Sequence, residues 1–280
     1  MKMAQLIKIN QCVSRYQMDF LRYARRFVRV KKRRLAEWTA DWTIHSFGTR
    51  DRQGNQSVPD KERDSRFFDW LFEEQLRWAA NTPWETSALP EHVRSESWLK
   101  TILRTVADQA FIMYRPVLAA RAATVELDSL LITGDTVWCI RPLIREEGSV
   151  FQEVSPRKWR EIATGSARDM LNPRISMNRT RSLVSALLDS KGMRMKIASC
   201  AFAPDGYIEF AEPGPRTFFI DCRNKNEWYR NLSIHSLIMK KEQIAAVRAL
   251  LKNCGTVSVP RFQEEKSVRT PLFFMTPDEE

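Results

Sequence analysis

Residues 124 to 143 read TVELDSLLITGDTVWCIRPL and carry two carboxylates, Glu126 and Asp128, two positions apart on an apolar run. Side chains alternate along a strand, so this spacing places both carboxylates on one face. The run breaks at Thr133-Gly134-Asp135, a turn sequence, and returns as TVWCIRPL, which carries Cys139 and Arg141 at the same spacing. Carboxylates are hard oxygen donors suited to a divalent cation such as Mg²⁺, and an arginine beside them offers a fixed positive charge to a phosphate. The same four residues also make an ordinary strand end. In that reading the carboxylates face water, Cys139 is a small buried hydrophobe, and Arg141 is their ion-pair partner.

The elements that must position these residues are legible in the hydrophobic period. FFDWLFEEQLRWAA and SWLKTILRT have helical spacing, with Ser97 placed to cap the second. AFIMYRPVL, TVELDSLLI and TVWCIRPL read as strands, and SVFQEVS adds another. LNPRISMNRTRSLVSALLDSKG reads as a helix opened near Pro173 and closed at Gly192. Strands in RMKIASCAFA and RTFFIDC follow, then helices around NEWYRNL and KKEQIAAVRALLKNC. This order predicts an α/β fold, a mixed β-sheet flanked by helices, with helical N-terminal and C-terminal extensions. The expected organisation is a basic helical segment over 1–45, a polar loop or linker over 46–66, an α/β domain over 67–255 and a tail over 256–280.

Charge is concentrated at one end. Of a net +11, the first 34 residues supply +10, with eleven basic residues against Asp19 alone. Within Phe20 to Val28 the apolar residues Phe20, Leu21, Ala24, Phe27 and Val28 fall on one helical stripe, and Arg22, Arg25, Arg26 and Arg29 fall opposite it. With Lys32 and Arg33 they compose a basic face suited to a polyanion, because clustered cations gain affinity by releasing counterions from phosphates. The bland alternative is a solvated surface helix, and an acidic protein or membrane surface is a further partner such a face could meet.

Five cysteines, Cys12, Cys139, Cys200, Cys222 and Cys254, are widely spaced and never form C-x-x-C. They predict no disulfide framework and no zinc knuckle, and a soluble cytoplasmic protein is the expectation. No apolar run approaches membrane-spanning length. His45, His92 and His235 are scattered, and no GxSxG, GxxxxGK[ST] or HExxH occurs. Trp38, Trp42, Trp70 and Trp78 have the spacing of core anchors.

Three segments together resemble the NERD (nuclease-related) domain family of the restriction-endonuclease-like PD-(D/E)XK group. They are the hairpin VELDSLLITGDTVWCI, the Asn-Pro-led helix LNPRISMNRTRSLVSALL and the strand KIASCAFAPDGYIEF, within about residues 105–225. The N-terminal MAQLIKINQCVSRYQMDFLRYARRFVRVKKRR also looks like the opening of a subgroup of that family. The resemblance implies a restriction-endonuclease-like core, nucleic acid as partner with DNA ahead of RNA, and Mg²⁺ as cofactor if the site is active. It implies that Asp128, assisted by Glu126, would bind the metal, and that the second strand would supply a Glu-x-Lys. Here Cys139 stands for the glutamate and Arg141 for the lysine, so the motif keeps its frame and departs from its chemistry. Cysteine is a soft ligand, and arginine does not give up a proton. The helix glutamate of the family has no clear match, with Glu73, Glu74 and Glu96 as stand-ins.

Overall fold

A computed structural model describes residues 2–48, 60–119, 123–235 and 238–261, with side chains over 2–41 in the first of these stretches. The chain opens with strand β1 (Gln5–Ile9), then helices α1 (Arg15–Met18), α2 (Phe20–Gly48) and α3 (Asp60–Ala80). After β2 (Glu85–Thr86) come α4 (Ser97–Thr105), β3 (Phe111–Tyr114), β4 (Val117–Ala119), β5 (Thr124–Glu126), β6 (Ser129–Ile132) and β7 (Thr136–Pro142). A meander of β8 (Val150–Ser155), β9 (Lys158–Ala163) and β10 (Ser166–Leu171) precedes α5 (Pro173–Asp189). The chain continues through β11 (Lys196–Ala203), β12 (Tyr207–Glu209), β13 (Thr217–Asp221), α6 (Lys225–His235), α7 (Lys241–Asn253) and β14 (Val259–Pro260).

The principal sheet has the order β1-β3-β6-β7-β11-β13, with β6 antiparallel to both neighbours and every other pair parallel. A four-stranded sheet, β10-β9-β8-β12, stands beside it. The mixed sheet flanked by helices agrees with the sequence expectation. The N-terminus departs from it in part: residues 5–9 are a strand of the main sheet, and Phe20, Tyr23, Ala24 and Phe27 of α2 are buried, so this segment is not wholly helical. QLIKI escaped notice because Gln5 and Lys8 interrupt the apolar pattern, yet both are buried and bonded. Of the expected linker 46–66, residues 46–48 belong to α2 and 60–66 to α3, and 49–59 lie outside the described residues.

Local signals explain the helices that face the site. α5 starts where the Asn172 side chain accepts from the Arg174 amide, with Pro173 at the first helical position, and it stops before Gly192 at φ +67°. The cap of α4 falls one residue earlier than expected, at Glu96, and Ser97 is the first residue of the helix. Strand β11 is buried on both faces over seven of its eight residues, as a central strand between helical layers must be. α5 covers the face that carries Cys139, Ser199 and Ala201, whereas Trp228 of α6 packs on the opposite face against Phe202 and Trp138.

Candidate functional site

Asp128 lies one residue before β6, and its side chain is 2% exposed. Its backbone amide donates to Thr180 Oγ1 at 3.0 Å, and the Thr180 hydroxyl donates to Asp128 Oδ2 at 3.2 Å. Arg141 Nη1 donates to Asp128 Oδ1 at 3.3 Å. The ladder explains this encounter: Ser129 pairs with Ile140, so the next step outward sets Asp128 beside Arg141. Burial pushes the Asp128 carboxyl above the ordinary carboxylate range, and the Arg141 charge followed by the Thr180 hydroxyl opposes that shift.

Cys139 is on the same face of β7 and is wholly buried. Burial and the nearby Asp128 charge push its thiol pKa far up, so the thiolate that a metal would need is disfavoured. Asp128, Cys139 and Arg141 are therefore brought together as expected.

Glu126 is not, and the reason is a break in the strand. The expected strand 124–132 is two strands. Thr124–Glu126 pairs with Val117–Ala119 in a separate ribbon, whereas Ser129–Ile132 joins the main sheet. The segment opposite, between β3 and β4, bends at Arg115, held at φ +43°, and Pro116 next to it has no amide to continue the ladder. The Leu127 amide bonds the Pro116 carbonyl at 2.9 Å, and the Leu127 side chain is buried. Glu126 thereby leaves the face of Asp128. Its carboxylate accepts from Arg115 Nε at 2.8 Å and from Asn10 Nδ2 at 3.4 Å.

The glutamate stand-ins have other duties. Glu73 pairs with Arg94 and Glu74 with Arg77, while Glu96 accepts from the Tyr114 hydroxyl at 2.7 Å and from the Trp98 indole. His92 stands near Tyr114 and His235 beside Asp135, and His45 lies outside the residues whose side chains are described. Among the described residues no group of three His, Cys, Asp or Glu converges. A hard divalent ion requires several oxygen donors. The donor set at Asp128 is one buried carboxylate already bonded to a guanidinium and a hydroxyl, and it does not fit such an ion.

On α2 the apolar stripe is buried through Phe20, Tyr23, Ala24 and Phe27, whereas Arg22, Arg25, Arg26, Arg29, Lys32 and Arg33 are exposed. Arg33 and Arg34 meet Glu37. Arg22, Arg25, Arg26, Arg29 and Lys32 have no ion-pair partner among the described residues. Two of the eleven N-terminal cations are internal. Lys31 follows the buried stripe inward to Asp108, and Lys8 bonds the Cys12 carbonyl at 2.6 Å and Gln17 Oε1 at 2.9 Å. Burial lowers the Lys8 pKa from 10.5 to about 8.

Sequence reasoning missed Thr180, whose place about two turns beyond the Asn-Pro start of α5 gave no chemical signal, and Arg115, whose left-handed backbone no motif announces. Arg179 on α5 is exposed and reaches the Glu126 carbonyl at 3.4 Å. Of the four tryptophans read as core anchors, Trp78 is buried, Trp38 packs on Phe67 and Trp70, and Trp42 lies outside the described side chains. Comparison of the chain with protein-family models, curated proteins and solved structures finds no match.

Proposed function

We propose that this chain is a nuclease-related protein that binds nucleic acid through α2 and leaves the phosphodiester intact at Asp128. The observation that carries the binding half is the row Arg22, Arg25, Arg26, Arg29 and Lys32, exposed and unpaired among the described residues on a helix whose other face is buried. Cations held on a rigid helix and free of carboxylate partners are available to phosphates, and contacts of this kind carry little sequence information. DNA is the first substrate to try.

The silent half is supported by the ion pair of Arg141 with Asp128. The hairpin, the Asn-Pro-led helix α5 and the strand β11 stand in the order the NERD resemblance expects, which supports a restriction-endonuclease-like core. On that frame Arg141 brings its own positive charge to the one carboxylate that a metal would have shared. Arginine holds its proton at any working pH and so cannot replace a lysine as base. The test is incubation of labelled single- and double-stranded DNA with the full chain and Mg²⁺. Retained binding without cleavage is expected, and robust Mg²⁺-dependent cleavage lost in Asp128→Ala would overturn the reading.

One observation favours a second reading, a membrane surface as the partner of α2. Ile238 is 74% exposed and lies with Arg25 and Arg29 around one groove, so apolar and basic groups meet there. Co-sedimentation with anionic vesicles, in the absence of DNA binding, would select it.

A further inference from the structure

A second cavity lies on the opposite face of the main sheet and at the opposite end of β7 from Asp128. It has a volume of about 510 Å³, in the range of small-molecule sites. Its floor is aromatic. Trp138 and Phe218 project from the same sheet face with ring centroids 5.1 Å apart at 59°, and Trp228 of α6 closes the corner at 5.8 Å and 80°. Phe218 is 44% exposed and offers its ring to the cavity. The Trp228 indole N–H is buried and has no hydrogen-bond partner, although the residue is only 5% exposed. Around it stand Asp135, Glu227 and Asn231 together with the basic side chains Lys196 and His235. Asp135 accepts from the Thr136 hydroxyl at 3.0 Å and lies 3.8 Å from His235, whereas the Glu227 and Asn231 side chains make no hydrogen bond or ion pair among the described residues.

We propose that this cavity binds a single amino-bearing nucleobase, presented as a free nucleoside or an unstacked nucleotide. A planar heterocycle matches the floor, because base-on-ring stacking needs only a π-face. The rim then selects among planar ligands: carboxylates accept from an exocyclic amino group such as that of cytosine and repel a carbonyl edge. An inorganic anion would meet the carboxylates of Asp135 and Glu227 beside Lys196, and a purely aliphatic ligand would leave these polar groups dry and unpaired. The proposal does not rest on the nucleic-acid reading of α2, since the two surfaces share no residue.

The test is calorimetric titration of the full chain with cytidine and uridine. Saturable binding of cytidine with weaker binding of uridine is expected. Phe218→Ala should weaken cytidine binding about tenfold through lost stacking, and Glu227→Gln should bring the two nucleosides close to parity. Both residues are exposed, and circular dichroism checks that the variants stay folded. Replacing Arg22, Arg25, Arg26 and Arg29 by alanine should leave cytidine binding unchanged. Absence of nucleoside binding, indifference to Phe218→Ala, or tighter binding of tetramethylammonium than of cytidine would each overturn the proposal.

Discussion

Removing Arg141 isolates the role of the pair at Asp128. Breaking a fully buried ion pair by deleting one partner costs about 3–5 kcal/mol, because a charge is left dry. The carboxylate here is 2% exposed, but the Arg141 side chain is 43% exposed and its contact is 3.3 Å long. Thr180 also remains as donor. Solvent screening of the guanidinium and this surviving bond reduce the expected cost of Arg141→Ala to about 1–2 kcal/mol at neutral pH. The cost must depend on pH. The folded pKa of Asp128 is already raised above its unfolded value by burial, and losing Arg141 raises it further. A raised carboxyl contributes stability below the unfolded pKa and loses it as pH climbs through the folded pKa. The gap between wild type and Arg141→Ala, measured by urea denaturation, should therefore be small near about pH 4 and largest by about pH 7. Millimolar Mg²⁺ should not close it, since one carboxylate is too few ligands. A gap of the same size at every pH, or one that Mg²⁺ erases, would refute this account of the site.

Three further perturbations test other parts of the structure. Cys139→Glu with Arg141→Lys places a second carboxylate on the Asp128 face at a wholly buried position; it should lower stability by about 3 kcal/mol without metal and gain Mg²⁺-dependent stability and cleavage, and indifference to Mg²⁺ would show the frame is not placed for the chemistry. Lys8→Met should remove a pH dependence: as the lysine pKa falls from 10.5 to about 8 on folding, wild type gains up to about 3 kcal/mol relative to the variant as pH rises through that window, and parallel pH profiles of the two would contradict it. At Gly134 an added Cβ would stand 2.8 Å from the His235 carbonyl oxygen, which the Gly134 amide also bonds, so Gly134→Ala should cost about 1–3 kcal/mol in urea denaturation and a neutral result would show that the turn yields.

Hydrophobic period disclosed most of the α/β framework, because α3, α5, β7 and β11 each bury a stripe or a run long enough to read. It disclosed the hairpin turn at Gly134 as well. It failed where long-range partners override local pattern. QLIKI is a core strand since Lys8 and Gln5 find buried acceptors that no local rule supplies. Glu126 leaves its face because Arg115 and Pro116, on the segment opposite, break the ladder it would have joined. SARDML in β10 has almost no buried residue, so its pairing with β9 has no hydrophobic signature. Of the site itself, Asp128, Cys139 and Arg141 could be read from alternation and register, whereas Thr180 depends on how α5 settles on the sheet.

Binding of nucleic acid through α2 is read by the salt dependence of duplex DNA binding by the full chain and by the variant in which Arg22, Arg25, Arg26 and Arg29 are alanine. These side chains are exposed and unpaired among the described residues, so the variant should keep its fold. Each phosphate contact contributes a slope of about −0.9 to log K against log salt on duplex DNA, so losing four should flatten the slope by about 3 to 4 and weaken binding equally across sequences. An unchanged slope and affinity would contradict the account and move the binding surface away from α2.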